Sequence, residues 1–277
     1  MRLRTVGTLL IAGSLVTGCG AEKQASKAAQ SVKDAVDPVA QAAGNSAKAS
    51  SAKVTMDGTI EGEGKRIPLA GNGDFDFKRK RGTFALTVSI PGQDPLAVDE
   101  VVDGQVVYVK SKAFARALPD GKDWLKIDLV KAGQKEGVDV SSLQQLGAGN
   151  DPTQFLKYLE KSGAKPQKVG RDDVKGTSAT KYRATIDLAR LARQSDDSAV
   201  RRSVEQLRTL TGSTRLPVEV WIDDQQRVVR EHIAYTIAKP TRIATDLTIE
   251  FSDYGRPVSV EVPPASRTLD ALKARGG

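Results

Sequence analysis

The 277-residue chain has one cysteine, one histidine and few aromatic residues, which make up 5% of it. A lone cysteine cannot form an intrachain disulfide, and one residue of each type supplies neither a zinc site nor a cysteine–histidine catalytic pair. His232 is predicted mid-strand and solvent-facing, on the face shared with Val228 and Arg230. Apart from an N-terminal stretch that is too short, no apolar segment approaches the ~20 residues of a transmembrane helix. We therefore expect no enzyme, no metal and no cofactor.

Cys19 follows an uncharged, mostly apolar stretch, Val6–Val16, which Arg2 and Arg4 precede. This order is typical of a secretory signal. The residues Val16-Thr17-Gly18-Cys19 resemble a bacterial lipobox, in which the thiol accepts a diacylglycerol group. The alternative is a chance cysteine at the end of an ordinary signal peptide. The pattern favours a lipoprotein anchored through acylated Cys19 to the outer face of the cell membrane.

The net charge is +8, from 42 basic and 34 acidic residues. A modest excess of this kind suits anionic lipid surfaces better than nucleic acid, which the predicted secretion also disfavours. We expect a signal peptide over residues 1–18 and a lipidated flexible tether over 19–52, which is rich in Ala, Ser, Lys and Gln and lacks aromatic residues. Residues 53–277 are expected to form one folded domain.

Alternating apolar residues predict strands in most of that domain. The clearest examples are Phe75 with Phe77, the series from Phe84 to Ile90, and Leu247, Ile249 and Phe251 in a strand at Thr245–Asp253. Hairpins are expected at Asp103-Gly104 and at Asp223–Gln226. About five strands, then helices, two strands, helices and three strands fit an α+β fold with an antiparallel sheet.

The predicted helices lie between the two groups of strands. Asp151-Pro152 begins one that ends at Gly163, and Asp187 is a candidate cap for a short helix. A longer helix is expected at Asp197–Thr209, where Val200, Val204 and Leu207 share one face.

Three segments resemble the LppX/LprG group of actinobacterial lipoproteins, whose fold is similar to that of the carriers LolA and LolB. They are Trp124–Leu129 after Leu118–Lys122, Gly176–Leu188 with Thr180-Lys181-Tyr182-Arg183 inside it, and Leu216–Asp223 followed by Arg227–Arg230. The resemblance covers roughly Lys53–Pro263 and the lipobox. It implies an antiparallel half-barrel whose concave face is covered by helices, with an apolar cavity that takes acyl chains of lipids or glycolipids. The segments contain packing and turn residues, with no catalytic signature.

A cavity for acyl chains needs aliphatic and aromatic lining, because each CH₂ group moved out of water gains ~0.8 kcal/mol. The alternative is that the same residues fill a packed core. The candidate lining residues are Phe75, Phe77, Phe84, Leu86, Val88, Val218, Val220, Ile222, Ile233, Tyr235, Leu247, Ile249 and Phe251.

The basic run Lys78, Arg79, Lys80 and Arg81 has two interpretations: a solubilising hairpin tip, or a contact with phosphate head groups of the membrane or of a bound lipid. The leading functional hypothesis is a monomeric lipid carrier of the cell envelope, with an acylated lipid or glycolipid as ligand and an envelope lipid transporter as a candidate partner. The alternative is an envelope sensor or protein-interaction module on the same fold.

Overall fold

The computed structural model describes residues 38–274, except 40, 47, 116–117, 120, 136–158, 160, 197 and 239–240. The described residues belong to a compact unit, Ala35–Gly277. The predicted signal peptide, Cys19 and most of the helix predicted from Asp151 lie outside the described residues. Within them, no helix is long and apolar enough to cross a membrane.

Twelve strands of the described chain form one open sheet, in which every neighbouring pair is antiparallel except β12 with β6. The order across the sheet is β12-β6-β5-β4-β3-β2-β1-β11-β10-β9-β8-β7. In chain order the strands are β1 (Ser51–Gly62), β2 (Lys65–Asp76), β3 (Arg81–Val88), β4 (Leu96–Asp103), β5 (Val106–Lys110), β6 (Trp124–Asp128), β7 (Gln167–Val174), β8 (Thr177–Asp187), β9 (Arg215–Asp223), β10 (Val228–Ile237), β11 (Ile243–Ser252) and β12 (Thr268–Asp270).

Helices are few and short beside this sheet. Residues 38–39 and 41–46 are helical, and we name 41–46 α1. The others are α2 (Lys112–Ala115), α3 (Leu129–Lys135), α4 (Leu188–Gln194), α5 (Ser198–Thr211) and α6 (Ala271–Ala274), with a short 3₁₀ turn at Ala265–Arg267. The predicted α+β class, with a large open antiparallel sheet, is confirmed.

Both predicted hairpins are present. β4 and β5 are joined through Gly104, whose φ of 63° places it in the left-handed region that favours glycine. β9 and β10 are joined through residues 224–227. Asp187 caps α4 as expected, since its Oδ1 accepts a hydrogen bond of 2.8 Å from the backbone N–H of Arg190.

One face of the sheet, which we call the apolar face, carries the main hydrophobic core. Alternate residues of each strand point to it, among them Val54 of β1, Phe75 of β2 and Phe251 of β11, all buried. Helices α4 and α5 pack on this face, because Leu191 and Val204 belong to the same buried cluster. The other side of the sheet, which we call the opposite face, carries mostly polar residues.

The folded domain begins before the predicted boundary at residue 53. Val39, Ala42 and Ala43 of the helical N-terminal residues are buried in the main core. The hydroxyl of Ser46, itself buried, accepts a hydrogen bond of 2.9 Å from the backbone N–H of Val228. The expectation that the segment ending at Ala52 contributes nothing to the core was wrong for residues 39–52. Alanine is small enough to pack against the sheet even though the segment itself contains no aromatic residue.

Candidate functional site

The predicted cavity-lining residues all lie on the apolar face, but they divide into two regions. We call the first the packed region; its members Phe75, Phe77, Val218, Val220, Ile222 and Phe251 are at most 6% exposed and belong to the main core. Phe84, Ile233 and Ile249 are partly buried and pack against that core. These side chains fill space, as the packed-core alternative requires.

The remaining four predicted residues, Leu86, Val88, Tyr235 and Leu247, have intermediate exposure and are not part of the core cluster. The strand register places further half-buried apolar residues beside them on the same face. We call the whole set the half-buried region: Ile60, Ile67, Leu69, Leu86, Val88, Val98, Val109, Tyr235, Ile237, Ile243 and Leu247. This continuous apolar surface across neighbouring strands is the candidate binding site.

The exposure of apolar side chains also increases along helix α5, which crosses the apolar face. Val200 and Val204 are 7% and 0% exposed, whereas Leu207 and Leu210 are half-buried. The end of the helix lies beside the half-buried region, because the backbone N–H of Ala238, directly after β10, donates to the carbonyl of Leu210 at 2.6 Å. The helix therefore seals the sheet at its start and covers it less completely at its end.

Glycines of β2 leave space that side chains of the neighbouring strand β3 occupy. Gly71 pairs with Leu86, and Gly73 pairs with Phe84. A Cβ atom at Gly73 would lie 2.5 Å from Cδ1 of Phe84, and one at Gly71 would collide with the end of Leu86. These side chains therefore occupy the space above a glycine of the neighbouring strand. Glycine at two alternate positions of a strand, Gly71 and Gly73, is the sequence signal for this arrangement.

A groove of about 910 Å³ lies on the opposite face, across the middle of the sheet. Of the predicted lining residues, Tyr235 alone borders it. Its walls are rich in hydroxyl and carboxylate groups, including Asp57, Thr59, Thr87 and Asp246. This groove is polar and does not match the apolar cavity that the sequence predicted.

His232 lies on the opposite face, 29% exposed, between two carboxylates. Its Nε2 is 3.2 Å from Oδ1 of Asp246, and its Nδ1 is 3.7 Å from Oε2 of Glu219. Arg230 shares this face, but a register shift in β10 turns Val228 into the main core. The prediction that Val228 faces the same side as His232 was therefore wrong. Among the described residues, no group of three or more His, Cys, Asp or Glu side chains is placed to hold a metal ion.

The basic run forms the exposed turn between β2 and β3. The backbone N–H of Arg79 donates to Oδ1 of Asp76 at 2.8 Å, and Arg81 pairs with Asp103 at 2.8 Å. Lys78 and Lys80 are exposed. The turn lies at the packed end of the sheet.

Val88 is at the other end of β3, about 23 Å away at ~3.3 Å per residue. This distance disfavours a contact between the run and the head group of a ligand in the half-buried region. A contact with a membrane surface stays a prediction.

Comparisons with known proteins concern the fold more than the site. No family model matches the chain. An uncharacterised 31.2 kDa protein of Streptomyces griseus, from the rplA–rplJ intergenic region, is 30% identical over an alignment of 176 residues that covers 60% of this chain. The chain spans 56% of the length of that relative.

LprF and LppX are two of the solved structures that are similar to this one. LprF from Mycobacterium bovis is 17% identical, with a TM-score of 0.48, and the match covers 83% of this chain and 97% of LprF. The lipoprotein LppX from Mycobacterium tuberculosis has the same identity and TM-score, with 83% and 99% of the two chains covered. Both are members of the LppX/LprG group that the sequence segments resemble.

Proposed function

We propose that this protein is a lipid-binding carrier of the cell envelope, with acyl chains of a lipid or glycolipid held on the half-buried region of the apolar face. One observation carries the proposal: on a single continuous face, the packed region is closed by α1, α4 and α5, while aliphatic side chains of equal hydrophobicity farther along remain half-buried. A face that served only as a core would be closed along its whole length.

The energetics suit a saturated or monounsaturated chain. Each methylene transferred from water onto such a surface gains ~0.8 kcal/mol, so ten methylenes give ~8 kcal/mol before the cost of immobilising the chain. Contact with Leu86, Val88 and Leu247 needs no fixed polar geometry, which fits a carrier that must also release its cargo. The binding is non-covalent and requires no catalytic residue.

The location follows from the predicted anchor. Cys19, acylated after cleavage of residues 1–18, would hold the domain at the outer face of the cell membrane, and a tether shorter than predicted, from residue 20 to about residue 37, would link the two. Incorporation of labelled palmitate by the chain, and its loss in Cys19→Ala, tests the anchor independently of cargo binding.

Co-purified lipid tests the carrier function. The full chain carrying Cys19→Ala has no acyl acceptor, so an acyl lipid extracted from it by organic solvent comes from a non-covalent site. About one equivalent of lipid per protein is expected. A lipid-free protein that also takes up no acyl probe would contradict the proposal.

The polar groove on the opposite face favours a second function, an interaction module for a partner protein. A partner seated there would contact Thr59, Thr87 and Asp246 and leave the apolar face unused. Substitution of Thr87 by a bulky residue then abolishes partner capture without changing lipid content, whereas a pure carrier function is insensitive to it.

A further inference from the structure

Glu100 is an acidic residue of the apolar face, and it differs from Glu231 of β10, which pairs with Val220 and Ile249 on the same face and is only 2% exposed. The register of β4 places it between Phe84 of β3 and Val109 of β5, both on the apolar face. Its neighbours two positions away along β4, Val98 and Val102, point to the same face. Glu100 therefore lies at the border between the packed region, which includes buried Val102, and the half-buried region, which includes Val98 and Val109.

The surroundings of the Glu100 carboxyl group are unfavourable for its charge. Burial among these hydrophobic side chains raises the pKa of Glu100 above its ordinary value. Within the described part of the chain, no ion pair is formed with Glu100, whereas nearby Asp103 and Asp123 are paired with Arg81 and Lys110.

A surface that binds hydrocarbon alone gains nothing from a carboxyl group, because a leucine at the same position would pack better. A half-buried carboxyl group is useful where a ligand brings a hydrogen-bond donor to it, and it repels a ligand group of negative charge. Such a residue selects among acyl lipids by the polar group attached to the chain, while the aliphatic residues around it supply most of the affinity.

We propose that Glu100 is the polar recognition residue of the apolar face, which accepts a hydrogen bond from a neutral hydroxyl group of an acyl ligand and rejects ligands with a carboxylate or phosphate at that point. This inference rests on the proposed lipid-binding function. It names the ligand class as acyl lipids whose polar part carries free hydroxyl groups, as in a monoacylglycerol or a sugar ester.

The test compares three probes with the same oleoyl chain: monoolein, oleate and oleoyl lysophosphatidate. Each competes with a fluorescent acyl probe for the full chain carrying Cys19→Ala, at pH 7.5 and below the critical micelle concentration of the probes. Monoolein is expected to bind at least about tenfold more tightly than the two anionic lipids, the range of one hydrogen bond to a charged group. In Glu100→Leu this preference is lost because oleate binds better and monoolein worse. Glu100→Gln keeps a hydrogen-bond acceptor without the charge, so it is expected to bind monoolein as the wild type does and to bind oleate more tightly than the wild type does.

Asp99→Leu is the matched control, since Asp99 is the adjacent residue on the same strand and is exposed on the opposite face. It should leave the ranking of the three lipids unchanged. Thermal unfolding of each variant shows whether it is folded, and Glu100→Gln preserves the size of the side chain if Glu100→Leu misfolds. If the wild type ranks the lipids in the same order as Glu100→Leu and Glu100→Gln, the role of Glu100 is refuted and lipid binding stands. If the wild type binds none of the three, the proposed function fails.

Discussion

The division of the apolar face predicts opposite outcomes for two tryptophan substitutions. Val88 lies in the half-buried region and Ile222, at 3% exposure, lies in the packed region. Both were candidate lining residues from the sequence, and nothing in their local patterns separates them. Val88→Trp is expected to impair acyl binding in a stable protein, and Ile222→Trp is expected to destabilise the fold.

The magnitudes follow from packing. An indole forced into a filled core costs about 1–3 kcal/mol, which for a domain of this size lowers Tm by roughly 2–12 °C. At Val88 the indole has room, so the free energy of unfolding should change by no more than about 0.5 kcal/mol. If the indole displaces about three methylenes of a bound chain at ~0.8 kcal/mol each, affinity falls by ~2.4 kcal/mol, or roughly 60-fold.

Circular dichroism melting curves and competition against a fluorescent acyl probe measure the two quantities on the same samples. The reasoning is refuted if Val88→Trp binds acyl probes as the wild type does. It is equally refuted if Ile222→Trp melts as the wild type and loses binding, because Ile222 would then line a cavity.

Three further predictions concern stability. A chain that begins at residue 53 loses the buried contacts of Val39, Ala42 and Ala43 and should melt well below one that begins at residue 35, whereas equal melting would show that these residues are dispensable. Gly73→Ala should destabilise the sheet by about 1–3 kcal/mol in urea unfolding, because its methyl group meets Phe84, while Gly170→Ala, with open space around it, is the control. Burial raises the pKa of Glu250, but hydrogen bonds and charge from Lys175 and Arg230 outweigh it and lower the pKa below its ordinary value of 4.5. Its stabilising effect is therefore present above pH 4.5 and lost as pH falls, so the urea midpoint should drop less between pH 5 and 3 in Glu250→Gln than in the wild type.

Most long strands and both hairpins could be predicted from the sequence because alternation extends over many residues. In β11 the series Leu247, Ile249 and Phe251 was assigned to the correct face. The two strands that were not predicted as strands, β6 and β12, are five and three residues long, too short for periodicity to register. They pair with each other in parallel, with about 140 residues between them, and such a contact leaves no local signal.

Residues 39–52 were placed in the tether and not in the folded domain for a different reason. Aromatic and large aliphatic residues are the usual sequence sign of a core-forming segment, and this segment has few of them. Ala42 and Ala43 have no exposed surface at all, since a small side chain lets a helix approach a sheet closely. An Ala-rich, low-complexity composition therefore does not exclude a segment from the core, because small residues can be buried as completely as large ones.

The distinction between a packed core and a binding surface was beyond the sequence, because both are built from the same alternating residues. Phe75 and Leu86 lie on the same face of adjacent strands, yet one is buried and the other is half-buried. Phe75 belongs to the main core, which residues of α1, α4 and α5 complete, and these helices lie far from β2 and β3 in sequence. A charged residue within the alternating apolar series of a strand is a local feature that the sequence does show. Glu100 breaks the apolar series of β4 between Val98 and Val102 and is half-buried, whereas Glu231 breaks the series of β10 and is buried, so a carboxyl group in the series indicates a binding surface only where it stays partly exposed.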